Sequence, residues 1–152
     1  MQPKILTILL CVTIVLCGCT APIEQSIQTE VPLQLSFTAD TLERQEDGGS
    51  VFDLKEALVS KPVLMLWIAA GCSGCHDWTD MLRESINNGS INTSSVSVIS
   101  MHRWSEVESP AAVMKAFGND DNDSNYTPWP IILPNESSRL TDFETGENTQ
   151  FS

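Results

Sequence analysis

The stretch Val63–Trp78, VLMLWIAAGCSGCHDW, joins an apolar run to two cysteines three apart and a histidine directly after them. The run VLMLWIAA is uninterrupted and bounded by Pro62 and Gly71. That pattern predicts a strand buried on both faces, as at the centre of a parallel sheet. Beyond it, Trp78, Met81, Leu82 and Ile86 recur at helical spacing and predict one apolar stripe, which Asn87-Asn88-Gly89 ends. The strand therefore hands over to a helix near Cys72. A cysteine at that junction meets unpaired N–H groups and the positive end of the helix macrodipole, both of which favour a thiolate. Cys75, one turn on, lies within sulfur-to-sulfur reach. Cys72-Ser73-Gly74-Cys75-His76 has three chemical readings: a dithiol that exchanges electrons, half of a metal site, or a haem-attachment pentapeptide.

Working outward, LSFTAD (35–40) predicts a first strand and RQEDGGS (44–50) a turn. VFDLKEALVS (51–60) predicts a short helix with Phe52, Leu54, Ala57 and Leu58 on its apolar side. SVSVISM (95–101) is the next strand. Ser109 and Pro110 supply an N-cap and a first helical position for SPAAVMKAFG, which Gly118 closes. NDDNDSN (119–125) is an acidic loop, without the Gly and Glu that a calcium loop needs at its sixth and twelfth positions. TPWPIILP (127–134) predicts a strand entered through prolines, and RLTDF (139–143) a last one. Alternating elements of this length imply an α/β sandwich around a mixed sheet. Trp67 and Trp78 are expected in the core and Trp104 in packing, whereas Trp129, between two prolines, is expected to line a substrate groove.

The N-terminus reads as an export leader. One lysine precedes the apolar run Ile5–Gly18, which is short of the about 20 residues a spanning helix needs. Its end, VLCGCT (15–20), resembles the bacterial lipobox, and the resemblance implies that residues 1–18 are removed and that Cys19 carries a lipid. A plain secretory signal or an uncleaved anchor is the alternative. Thr20 stands where an Asp would hold such a lipoprotein at the inner membrane, so the chain is expected at the cell envelope, facing the periplasm, with a lean to the outer membrane. Residues 19–34, polar with two prolines, form a flexible tether, and residues 35–152 the folded domain. Cys11 and Cys17 leave with the leader, so Cys72 and Cys75 are the thiols that remain, in a compartment where disulfides persist. Loss of the leader takes one Lys and no acid from a net charge of -12, leaving -13. That balance argues against nucleic-acid binding, which needs clustered positive charge.

KPVLMLWIAAGCSGC (61–75) resembles the active-site segment of thioredoxin-like proteins, especially the membrane-anchored extracytoplasmic (TlpA-type) group. TPWPIILP resembles the second signature of that fold, a cis-proline before a strand, facing the dithiol. The resemblance covers roughly residues 35–145 and implies a thioredoxin-like three-layer sandwich with a mixed central sheet. It implies that Cys72 attacks, that Cys75 resolves, and that Pro130 is the cis-proline whose neighbouring backbone pairs with substrate; Pro128 competes for that role. The partners implied are protein thiols or disulfides and a redox partner that recycles the dithiol, with no cofactor. His76, on the helix's first turn, would help stabilise the thiolate or face solvent.

The chain also departs from the family pattern. Leu66 replaces a buried acid, Gly71 an aromatic residue, and Asp80 a helix-kinking proline, and the final helix is missing or cut short. Two rival readings remain. Haem attachment would use His76 and a distal Met81, Met101 or Met114, and zinc would need two ligands besides Cys72 and Cys75, where the only histidines are His102 and His76, the latter awkwardly adjoining Cys75. A third is a thioredoxin fold kept for binding alone. The dithiol reading is preferred because a buried strand runs straight into the motif, whereas haem-binding cytochrome domains are mostly helical.

Overall fold

The computed structural model describes residues 35–119, 125–142 and 145–150, within a compact unit that spans Pro32–Ser152. The leader, Cys19 and the tether lie outside the described residues, as does most of the acidic loop. Strands run over Leu35–Thr41 (β1), Val51–Asp53 (β2), Val63–Ile68 (β3), Ser97–His102 (β4), Ile131–Leu133 (β5), Arg139–Asp142 (β6) and Asn148–Gln150 (β7). Helices cover Leu54–Ser60 (α1), Ser73–Asn87 (α2) and Pro110–Val113 (α3). A 3₁₀ turn occupies Gln45–Asp47, and α3 continues as a π-helical turn, Met114–Gly118.

The strands form one mixed sheet in the order β3-β4-β5-β1-β6-β7, with β2 paired to β1 off that path. β3, β4 and β5 are parallel, while β1 runs antiparallel to β2, β5 and β6. This is the expected α/β class with a mixed sheet, compatible with a thioredoxin-like arrangement, and no helix follows β5 among the described residues. Alternation along the strands builds two cores. Phe37, Ala39, Ile99, Met101 and Ile132 meet Leu54 of α1 on one face. Leu42, Ile68, Ile131 and Leu133 meet Val113 and Phe117 on the other, with Cys75 of α2 packed against them. The sheet is thus sandwiched between α1 and the pair α2 and α3.

Four expectations are corrected. β3 lies at the sheet's edge rather than its centre, because nothing pairs beyond it among the described residues. Trp67 and Trp78 are consequently 47% and 61% exposed rather than core. The inward face of α2 is Cys75, Thr79, Leu82 and Ile86, with Thr79 fully buried, while Met81 is exposed on the side of the open edge. The helix expected over 51–60 starts only at Leu54, since Val51–Asp53 pair with β1 and Asp53 caps the helix by accepting from Glu56 N. Ser109 does cap α3, its hydroxyl accepting from Ala112 N at 3.3 Å.

The entry to β5 is fixed by a buried ion pair. Arg44 Nη2 lies 2.7 Å from Asp47 Oδ1, and the two side chains are 6% and 0% exposed. Arg44 Nη1 and Nη2 also donate to Thr127 O and Trp129 O, and Asp47 Oδ1 accepts from Ile131 N at 3.0 Å. Every polar atom of the pair has a partner, which is what makes a buried charge tolerable. Asp47→Ala strands the guanidinium and the Ile131 N–H together, so a loss of about 3–5 kcal/mol is expected in urea unfolding. A loss under about 1 kcal/mol would show that the pair is dispensable.

Candidate active site

The segment Ala69–Cys72 turns the chain from β3 into α2, and nearly all of its backbone polar groups are held. Cys72 N donates to Ala69 O at 3.1 Å, closing a tight turn. Cys72 is the N-cap of α2, its Sγ accepting from Cys75 N at 3.2 Å and its carbonyl accepting from Cys75 N and His76 N. Cys72 and Cys75 form a disulfide, with Cα atoms 5.2 Å apart. The expected sulfur at a helix start, with a second sulfur in reach, is therefore present. Cys72 is half-buried and Cys75 faces the core.

Glu108 has no counterpart in the sequence reading. It reaches back across 37 residues, its Oε1 accepting from Gly71 N at 2.8 Å and its Oε2 from Ala70 N at 2.7 Å. Behind it stands His102, 3% exposed at the end of β4, with Nε2 3.1 Å from Glu108 Oε2. The parallel register that sets Ile68 beside His102 brings them together. Glu108 N donates to Trp104 O, so the loop that follows β4 curls to aim this carboxylate. Glu108 and His102 also line an open cavity of about 610 Å³ with Leu42, Met114, Leu133 and Pro134. Burial pushes the Glu108 carboxyl up, but the Gly71 and Ala70 amides and then His102 outweigh it and hold the group below its ordinary value.

Gly71 leaves no room for a side chain beside the carboxylate. A Cβ there would lie 3.3 Å from Glu108 Oε1 and 3.8 Å from Trp104 Cζ3. The space beside the loop is bordered by Trp104, which packs at the surface and is 45% exposed. His76 is half-buried and turned to the loop: its Nε2 lies 2.9 Å from Ala70 O, and its ring meets Phe117 edge-on at 4.8 Å. Because a carbonyl only accepts, Nε2 carries the proton.

The second signature differs from expectation. No peptide bond among the described residues is cis, so Pro130 is trans. Its carbonyl accepts from Ser100 N at 2.8 Å, and Arg44 takes the carbonyls of Thr127 and Trp129, which holds this loop in its trans path. Trp129 is 5% exposed, with its indole N–H on Ser100 Oγ at 2.9 Å, and so does not line a groove with its ring. Leu66, in place of the buried acid, packs against the same core as Cys75. Asp80, in place of the proline, pairs with Arg83 at 2.8 Å.

The haem-ligand candidates fall on both faces of the sheet, with Met114 packed against the same core as Cys75. His76 Nε2 is engaged by Ala70 O, and Met101 is buried in the core on the opposite face of the sheet from Phe117. Among the described residues no group of three or more His, Cys, Asp or Glu side chains converges on a metal-sized point. None of the described helices is long and apolar enough to cross a membrane.

No protein-family model matches this chain, and no curated protein or solved structure matches it either.

The Glu108 bonds carry a pH signature. A carboxyl whose folded pKa is depressed contributes stability above its unfolded value, near 4.5, that is lost as pH falls through the lower folded value. The Gly71 amide resonance is therefore expected to titrate in NMR with a midpoint below 4.5. A midpoint at or above that value would mean that the carboxylate does not hold the amide.

Proposed function

We propose that this chain is a thiol–disulfide oxidoreductase working through Cys72 and Cys75. The observation that carries the reading is the Cys72–Cys75 pair, at disulfide distance, with Cys72 capping the N-terminus of a 15-residue helix. The helix's first-turn N–H groups and dipole lower the cost of a negative sulfur there. Trp104, exposed beside Gly71, offers a substrate an apolar contact next to the dithiol.

In the reducing direction the Cys72 thiolate attacks one sulfur of a substrate disulfide. The substrate S–S bond breaks, a mixed disulfide forms, and the departing thiolate takes up a proton. Cys75 then loses its proton and attacks Cys72 Sγ, which releases the second substrate thiolate. The substrate gains two electrons and two protons, and the Cys72–Cys75 dithiol is oxidised to the disulfide. A partner dithiol must reduce that disulfide again. Run backward, the same steps oxidise a substrate dithiol. His76 would act through the loop it holds, whereas Pro130 enters a strand parallel to β3, with its carbonyl taken by Ser100 N, and is not part of this proposal. A lipid on Cys19 would keep the domain at the envelope membrane, facing the periplasm.

Cys72→Ser is expected to reduce insulin-disulfide turnover by dithiothreitol to the uncatalysed rate. Cys75→Ser is expected to accumulate mixed disulfides on non-reducing gels. Full turnover in the Cys72→Ser protein would refute the assignment.

A further inference from the structure

We infer that Glu108 is a positioning residue that fixes the dithiol loop and biases the Cys72–Cys75 pair toward reducing its substrates, an inference that rests on the exchange activity proposed above.

The two amides immediately before Cys72 both end on one carboxylate, at 2.8 Å from Gly71 N and 2.7 Å from Ala70 N. Three donors converge on Glu108 once His102 Nε2 is counted, and an ionised carboxylate, which only accepts, suits all three. The arrangement has two consequences. It pins the backbone from outside the loop, while His76 Nε2 pins the Ala70 carbonyl from the helix side. It also places a fixed negative charge next to the residue that becomes a thiolate when the pair is reduced. From the Gly71 amide, chain reach keeps Cys72 Sγ within roughly 10 Å of that charge.

The other charged or titratable groups around the loop do not cancel it. His76, on α2, offers its Nε2 proton to Ala70 O rather than to sulfur. His102, from β4, is directed at Glu108 itself. Asp77 on α2 and Glu106 on the loop after β4 are exposed and carry the same sign as Glu108. Arg103, at the end of β4 with its N–H on Ile68 O, is a cation on the loop's side but is exposed, so solvent screens it. A like charge raises the cost of the thiolate, so the reduced pair is less stable against its disulfide than the helix start alone would make it. A less stable reduced form donates electrons more readily, which is the reducing direction. At roughly 8 Å, a distance within that reach, and an effective dielectric of about 40, the penalty is about fivefold in the equilibrium constant. That is about 20 mV for a two-electron couple.

The test is equilibration of the pair against glutathione, with Cys72 alkylation by iodoacetamide followed against pH. In Glu108→Gln the constant is expected to move about fivefold toward the dithiol, with the Cys72 thiol becoming more acidic. Glu108→Asp keeps the charge while shortening its reach, and is expected to stay within about twofold of the unaltered protein. It also preserves the test where the Gln variant does not fold, because a fivefold move in the Asp variant would show that position, not charge, sets the constant. An unchanged constant and alkylation profile in folded Glu108→Gln would overturn the inference. If the unaltered pair does not equilibrate with glutathione at all, it is the exchange activity that fails.

Discussion

A single carboxylate holds the turn on which the candidate chemistry depends. The segment from Ala69 to Cys72 leaves an edge strand, so it lacks the second neighbouring strand that would shape a turn at the centre of a sheet. Glu108 supplies that missing side by taking two consecutive amides, and His76 supplies the other by donating to Ala70 O. Charge-assisted bonds of this kind are each worth about 1.5–3 kcal/mol, more than ordinary amide pairs. The sulfur at the start of α2 is thus aimed by groups from three elements: the β3 turn, the helix itself and the loop after β4.

A comparable solution appears at the other signature segment. The loop from Thr127 to Pro130 enters β5 along an all-trans path and is clamped by Arg44, whose own charge is neutralised by Asp47. Asp47 in turn accepts the first amide of β5. Both clamps use a charged side chain from a distant loop to satisfy backbone groups that no strand reaches. They account for how a domain with short strands (β5 has three residues) keeps defined loops both where β3 ends and where the parallel β5 begins.

Much of this was legible in the sequence, for identifiable reasons. The strand–helix junction at Cys72 follows from an apolar run ending in Gly71 and a helical pattern starting beyond it, and the Ser109 cap follows from Ser-Pro before an apolar stretch. The edge position of β3 was not legible, because an uninterrupted apolar run looks the same whether one or two strands flank it. The same edge rotated the reading of α2: Trp78 and Met81 weigh heavily as hydrophobic, yet Cys75 and Thr79 face the sheet. Glu108 was hidden for a different reason. Its role comes from a parallel register that sets His102 beside Ile68, and nothing local in HRWSEVESP marks one of its two acids over the other. The proline segment misled because its one-dimensional likeness carries no information on Arg44, 83 residues from the carbonyl of Thr127.

Two opposing fields meet at Cys72. The free N–H groups of α2 draw negative charge onto the sulfur, an effect confined to the first turn of the helix. The amides that precede the helix cannot add to it, because Glu108 has already taken them. The donor that reaches Cys72 Sγ is Cys75 N, from within the helix. Occupying the two preceding amides with a carboxylate installs a like charge. The helix start favours a reactive thiolate, and the acid limits how far that preference goes. On the proposed exchange activity, the poise of the pair would be set at the contact between two loops as well as by the Ser73-Gly74 dipeptide between the cysteines.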